Sequence, residues 1–255
     1  FLVCLVSLGI IGICFGIGMF KGILASAPDI SNLDVTPSGY ATIVYDANGT
    51  QITKLVSAQS NRSYVAMNSI PQDLADAFVA IEDERFYEHN GIDVKGILRA
   101  GMKALTTGDF SEGASTITQQ LLKNNVFTNW TSESTQLERF TRKIQEQYLA
   151  LKIEKEMSKE EILEAYMNTI NLGQGCLGVQ TAAQRYFNKD AKDLTLSECA
   201  VIAAITQSPS NLNPVSNPEN NAKRRKKVLK NMKEQGFITK DEYDEAMADN
   251  VYDRI

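Results

Sequence analysis

The sequence predicts a mainly α-helical chain, preceded by a short β-hairpin and an apolar N-terminal helix. Three observations carry this. Phe1 to Phe20 hold no charged residue, and about 20 apolar residues at roughly 1.5 Å each span a bilayer core of about 30 Å. Two β-prone runs, Ala41 to Tyr45 and Gln51 to Val56, flank Asp46-Ala47-Asn48-Gly49, the pattern of a hairpin with a glycine-containing loop. From Pro71 onward the apolar spacing is helical almost without interruption.

The N-terminal run has two readings. It exceeds the usual apolar length of a signal peptide, which favours an anchoring helix over residues 1–24. Ala25-Ser26-Ala27 has the small residues of a cleavage site, which is the competing reading. Both readings put the rest of the chain outside the cytoplasm. Pro28 to Ser38 is rich in Ser, Asn, Asp and Pro, and residues 25–40 read as a linker to a folded region over 41–250.

Within that region, Pro71 suits a first helical turn and Asp73 the positive end of the helix dipole. Ser158 with Glu161, Thr195 with Glu198, and Thr239 with Glu242 each fit a capping box. Gly236 fits a stop after a helix over Glu219 to Gln235, and Ser208 to Pro218 reads as a loop. Thr106 to Gly113 and Thr128 to Thr135 read as loops, either flanking a cleft that opens and closes or lying plainly on the surface.

The 255 residues suffice for one large domain or two small ones. A net charge of −5 argues against a nucleic-acid binder. Cys4 and Cys14 lie in the apolar run, which leaves Cys176 and Cys199 either bridged or free. One histidine and no cysteine cluster argue against zinc.

The chemistry concentrates in three polar clusters. In Glu82 to Gly91, the helical spacing of Ala75, Val79, Glu82 and Phe86 sets Glu82 in an apolar face. A carboxylate there suits a general base, whereas an acidic surface patch with Asp83, Glu84 and Glu88 is the plainer reading. His89, a lone histidine, reads more readily as a structural hydrogen-bonder than as a catalyst, and no nucleophile elbow surrounds Ser115 to complete a triad. In Gly113 to Asn124, Ser115 is placed to cap a helix on which Ser115, Gln119 and Lys123 share one stripe and Thr116, Gln120 and Asn124 the next. Such a stripe suits a sugar or phosphate better than bulk solvent. In Leu137 to Met157, Leu137, Phe140, Ile144, Tyr148 and Leu151 form one apolar stripe and Glu146, Leu149 and Ile153 another, so the C-terminal half reads as buried. Glu146 then either pairs with Arg142 at i,i+4 or lines a cleft with Arg142 and Lys143. The basic run Lys223 to Lys227, with Lys230 and Lys233, reads as a solvated face or as a contact for anionic headgroups or pyrophosphate.

Four segments in order carry a resemblance: Glu82-Asp83-x-x-Phe86-x-x-His89-x-Gly91, Gly113-x-Ser115-Thr116-Ile117-Thr118-Gln119-Gln120-x-x-Lys123-Asn124, Arg142-Lys143-x-x-Glu146 and Ile162-Leu163-Glu164-x-Tyr166-x-Asn168. Over about Ile43 to Gly236 the chain resembles the peptidoglycan glycosyltransferase (transglycosylase) domain of class A penicillin-binding proteins and their monofunctional relatives. Arg224-Arg225-x-x-Val228-Leu229 resembles a fifth motif of that family. The resemblance implies a mainly α, lysozyme-like fold with a small membrane-proximal lobe, at the outer face of the cytoplasmic membrane on a single-pass anchor. It implies polymerisation of lipid II into β-1,4-linked glycan, with release of undecaprenyl pyrophosphate and inversion at the anomeric carbon.

By the same resemblance Glu82 is the general base and Glu146 the second essential carboxylate, which orients substrate or assists at the pyrophosphate through a divalent cation (Mg or Mn). Lys123, Arg142 and Lys143 neutralise the leaving pyrophosphate. Ser115, Thr116, Gln119, Gln120 and Asn124 bind sugar and phosphate oxygens, and Asp83, Phe86 and His89 shape the donor site. Its implied partners are lipid II, undecaprenyl-pyrophosphate-linked glycan, membrane lipid, and cell-wall synthesis or division proteins, with no nucleic acid. Inhibition by moenomycin-type phosphoglycolipids is a further implication.

No serine has a lysine three positions on, so a transpeptidase domain is expected to be absent from this chain. The hairpin and the C-terminal helices fit a class A protein cut before that domain. Two other readings remain on the sequence. A glycan-cleaving enzyme of lysozyme-like fold would also use carboxylates, but has no phosphate to neutralise. A silent lipid II-binding scaffold would not need both Glu82 and Glu146.

Overall fold

A computed structural model describes residues 2–29, 39–56, 61–108, 113–127 and 129–255. Most of the predicted linker, residues 30–38, lies outside these, as do 109–112 and 128 of the two predicted loops. The predicted elements are largely present. Helix α1 covers Leu2–Ala25, and strands β1 (Thr42–Tyr45) and β2 (Gln51–Leu55) pair antiparallel with Thr42 opposite Leu55. The Asp46 carboxylate closes the hairpin by accepting the Asn48 and Thr50 N–H groups, both at 2.8 Å.

The main body is built around α2 (Gln72–Glu82), in which every residue from Leu74 to Ala80 is buried. Helix α8 (Leu196–Ala203) is buried from Ser197 to its end, and α9 (Pro218–Glu234) closes over both. The alanines of α2 and α8 let the backbones approach, while Leu74 and Phe78 fill the gaps, each contributing about 1.5–3 kcal/mol by burial. Helix α6 (Lys159–Thr169) joins this core through Tyr166, whose ring meets Phe78 edge to face at 5.8 Å. Helices α7 (Val179–Phe187) and α10 (Lys240–Ala248) complete the body.

A second apolar cluster forms where α4 (Ile117–Asn125) meets α5 (Gln136–Ile153), from Leu122, Leu149, Ala150 and Ile153. Helix α1 reaches the body here. Gln145 of α5 donates its amide to the Ile23 carbonyl at 2.9 Å and to the Ser26 hydroxyl at 3.1 Å. Helix α3 (Val94–Thr107) buries only Gly96 and runs through Thr106 and Thr107, where a loop was expected. The rest of its apolar side faces outward.

The three predicted capping boxes are present, and Thr135 with Glu138 forms a fourth at the start of α5. Pro71 precedes the first turn of α2 instead of lying in it. Thr116, not Ser115, caps α4, because the Ser115 hydroxyl is taken by Lys143 at 2.7 Å. The predicted helical stripe through Phe86 breaks at Asp83, whose backbone leaves the helix so that its side chain can serve α4. On α5 only the second predicted stripe is buried; Leu137, Phe140 and Leu151 are exposed. Cys176 and Cys199 are buried, separate thiols.

Candidate active site

The site begins where α2 ends. Carboxylates at a helix C-terminus face its negative end, so Glu82 and Asp83 need other partners. Asp83 finds them at the start of α4. Its Oδ2 accepts the Ile117 N–H at 2.9 Å, and His89 Nε2 lies 2.9 and 3.0 Å from its two oxygens. The Gly91 N–H donates to His89 Nδ1 at 3.1 Å. That nitrogen is therefore the acceptor, and Nε2 carries the hydrogen given to Asp83.

The side chains of Asp83 and His89 are only 2% and 8% exposed. Phe86 is wholly buried, with the Lys159 ammonium 4.5 Å from its ring centre. Thr116 and Gln119 are buried as well, and both donate to the Gly91 carbonyl, at 2.9 and 3.0 Å. Gly91 has φ +87°, and a Cβ there would lie 2.6 Å from the Ala150 carbonyl oxygen. Asp83, Phe86 and His89, expected to shape the donor site, and Thr116 and Gln119, expected to bind sugar and phosphate oxygens, form a buried wall that joins α2, α4 and α5.

Glu82 faces the other way, with 13% of its side chain exposed. Gln120 donates its amide to Oε2 at 2.9 Å, and the Thr206 hydroxyl donates to Oε1. Arg224 of α9 approaches Oε1 at 3.8 Å. Burial pushes the Arg224 guanidinium below its ordinary pKa, and Glu82 opposes that. Behind Gln120 the fully buried Tyr166 hydroxyl donates to its Oε1 at 3.2 Å. Burial raises the Tyr166 phenol well above its usual value, with smaller contributions from Glu82 and Asp83.

The second carboxylate, Glu146, has no exposed side-chain surface. Arg142 Nη1 holds its Oε1, and Lys143 Nζ lies 2.7 Å from its Oε2. Arg142 is held in turn by Glu133, Nε to Oε1 at 2.6 Å. Burial works against the Arg142 charge, yet Glu133 and Glu146 outweigh it and lift its pKa above the ordinary value. Lys123 lies within electrostatic reach of Glu146, Lys143, Arg142 and Glu82, and its ammonium sits 4.4 Å from the Trp130 ring centre. Desolvation pushes its pKa down, against the pull of Glu146. Asn124 is half-buried beside it in the last turn of α4.

One partly open carboxylate held by neutral donors, one buried carboxylate facing two cations, and a lysine within electrostatic reach of both make up the site. Residues 48–233 match the family described as Transglycosylase. The chain belongs to that family. Penicillin-binding protein 1A of Clostridium botulinum (strain Langeland) is 41% identical over 247 residues, covering 93% of this chain and 29% of that protein. Penicillin-binding protein 1A of Streptococcus oralis is 39% identical over 253 residues, 99% of this chain and 39% of that protein. Penicillin-binding protein 1F of Bacillus subtilis (strain 168) is 43% identical over 196 residues, 77% and 26%. The crystal structure of penicillin-binding protein 1A from Haemophilus influenzae aligns with 84% of this chain and 21% of that one, at 27% identity and a TM-score of 0.47. The chain thus spans about a fifth to two fifths of the length of these proteins. The enzyme class expected from the sequence, a peptidoglycan glycosyltransferase, stands.

A divalent cation at Glu146 would have to compete with Arg142 and Lys143, which face its two carboxylate oxygens. Four contributors lay outside the predicted set. Tyr166 and Arg224 stood inside resembling motifs without a role. Glu133 and Thr206 carried no signal, since each reaches the site through a turn whose path only the fold defines. The basic run divides: Arg224 turns toward Glu82, Arg225 donates to Ser197 Oγ at 2.6 Å, and Lys223, Lys226, Lys227 and Lys230 face outward.

Proposed function

We propose that this domain polymerises lipid II. Glu82 takes the proton of the acceptor 4-hydroxyl, and that oxygen bonds to the anomeric carbon of the growing glycan. The bond from that carbon to the pyrophosphate breaks, the centre inverts, and undecaprenyl pyrophosphate leaves. The observation that carries the reading is the asymmetry between Glu82 and Glu146. A carboxylate must be reachable to act as base, and Glu82 is open where Glu146 is closed. Lys123, Arg142 and Lys143 gather positive charge where the leaving group becomes more negative.

A cleft of about 600 Å³ supports a lipid-linked donor. Phe127, Trp130 and Leu137 line it beside Arg142, and Gln145 joins it to the end of α1. That helix has a mean hydropathy of 2.5 and no buried residue along its most apolar stretch, which suits a bilayer. Its hydrogen bonds to Gln145 favour a retained anchor over a cleaved leader. Val94, Leu98, Met102 and Leu105 form an exposed apolar stripe on α3, with Lys95, Arg99 and Lys103 alongside. This is the pattern of a helix lying in a membrane surface. Helix α3, the end of α1 and the start of α5 then form the membrane-proximal lobe, on the extracytoplasmic side.

The test is glycan synthesis from purified lipid II in detergent. Glu82→Gln should lower the rate roughly 10²–10⁴-fold. Undiminished polymer from that variant would remove Glu82 as the base. No polymer from a folded, lipid II-binding parent would favour the scaffold reading.

A further inference from the structure

We propose that Thr206 is a positioning residue for the proton acceptor, acting with Gln120, and that Tyr166 holds the Gln120 amide in place. The inference rests on the polymerase reading above. Gln120 was expected to bind substrate, and Thr206 had no expected role.

The Thr206 hydroxyl has one hydrogen and two acceptors in reach, Glu82 Oε1 and the Ala203 carbonyl at 3.1 Å. The carboxylate is the stronger acceptor and makes the shorter contact, so it takes the hydrogen. A side-chain amide can be turned by 180°, and Glu82 decides the orientation of Gln120. As a carboxylate it only accepts, and so requires the NH₂. That orientation leaves the amide oxygen 3.2 Å from the buried Tyr166 hydroxyl, which donates to it. One N–H and one lone pair of the Gln120 amide are thus committed to Glu82 and Tyr166.

The consequence is a carboxylate gripped through both oxygens from different elements. Gln120 reaches Oε2 from α4, and Thr206 reaches Oε1 from the turn after α8. Rotation of the carboxylate would break one bond or both. Each oxygen keeps a second lone pair, and an acceptor hydroxyl must come within about 2.6–3.2 Å of the carboxylate to be deprotonated. Holding the base in that orientation removes a search that the reaction would otherwise have to make at every turnover. Arg224 lies too far from Oε1 for a direct hydrogen bond. It supplies charge without the directional grip.

The test is steady-state polymerisation of lipid II by the full chain in detergent, with thermal unfolding of each variant alongside. Thr206→Val keeps the shape and removes the donor. It should lower kcat roughly 10–100-fold, the worth of one charge-assisted hydrogen bond, and leave KM within about twofold. Thr206→Ser restores the hydroxyl and should recover kcat to within a few-fold of the parent. Tyr166→Phe should lower kcat by several-fold at unchanged KM. The inference is overturned if Thr206→Val keeps the parent kcat, or raises KM alone, since Thr206 would then touch substrate. It is overturned equally if Thr206→Ser is as slow as Thr206→Val while both melt with the parent. A folded parent that makes no polymer would instead overturn the polymerase reading beneath it.

Discussion

Asp83 separates two accounts of the first motif. The family resemblance implies that it shapes the donor site, and in the structure it is buried as the joint between α2 and α4. Asp83→Asn keeps the shape and removes the charge. The carboxylate accepts from Ile117 N–H and from His89 Nε2, two donors with no alternative acceptor shown. An asparagine offers one oxygen and one NH₂. In one orientation the NH₂ meets the Ile117 N–H, and in the other it meets the His89 Nε2 hydrogen. The histidine cannot adapt by moving its proton, because Nδ1 is already the acceptor of the Gly91 N–H.

Two charge-assisted bonds therefore become neutral bonds crowded onto a single oxygen, with the new NH₂ facing the His89 Nε2 hydrogen beside it. At about 1.5–3 kcal/mol for each charged bond, the net cost is about 2–4 kcal/mol. For a chain of this size that lowers the melting temperature by roughly 5–15 °C. The assay is thermal unfolding of the full chain in detergent, followed by circular dichroism, with polymerisation measured well below both transitions. A variant that melts with the parent but has lost polymerisation would refute the buried-joint reasoning and return Asp83 to the substrate.

Two further outcomes follow from the same wall and from the cation that faces it. Gly91→Ala combines a left-handed φ, costing about 1 kcal/mol, with a Cβ driven against the Ala150 carbonyl, costing about 1–3 kcal/mol. It should lower stability by about 2–4 kcal/mol in the same melt, and a neutral result would mean that α5 can shift freely. Lys123 has its pKa pushed down by burial, so it sheds its charge at lower pH than an exposed lysine does. The alkaline limb of the polymerisation rate should move to higher pH in Lys123→Arg, because a guanidinium stays charged. A limb that stays in place would show that some other group sets it.

The helices were legible because their punctuation is local. Ser158, Thr195 and Thr239 each bond the third residue on, and that distance is fixed within any helix. The hairpin was legible for the same reason, since Asp46 closes its own loop. Burial was less legible, because an apolar stripe does not say what it will face. Leu137 and Phe140 have the spacing of a core stripe, and so do Val94, Leu98 and Met102, yet all five are exposed. The pairing of Glu146 with Arg142 and Lys143 was readable because it lies within one helix, but the partners of Glu82 were not. Thr206 lies 124 residues from Glu82, and no periodicity links positions so far apart.

The polar motif residues are of two kinds, and only geometry sorts them. Asp83, His89, Thr116 and Gln119 spend their hydrogen bonds on each other and on the backbone around Gly91. Glu164 and Asn168 do likewise, holding the Met67 and Val65 backbone from α6. These groups fix where α2 ends and where α4 begins. Glu82 is the last residue of α2, and Gln120 and Lys123 lie within α4, so small errors at that joint would move base, clamp and cation relative to one another. Glu146 is fixed by a different means, through the largely buried Arg142 and the half-exposed Lys143. The direct partners of Glu82 are a hydroxyl and an amide. The two carboxylates thus sit in different surroundings, and that difference supports the proposed assignment of Glu82 as the proton acceptor.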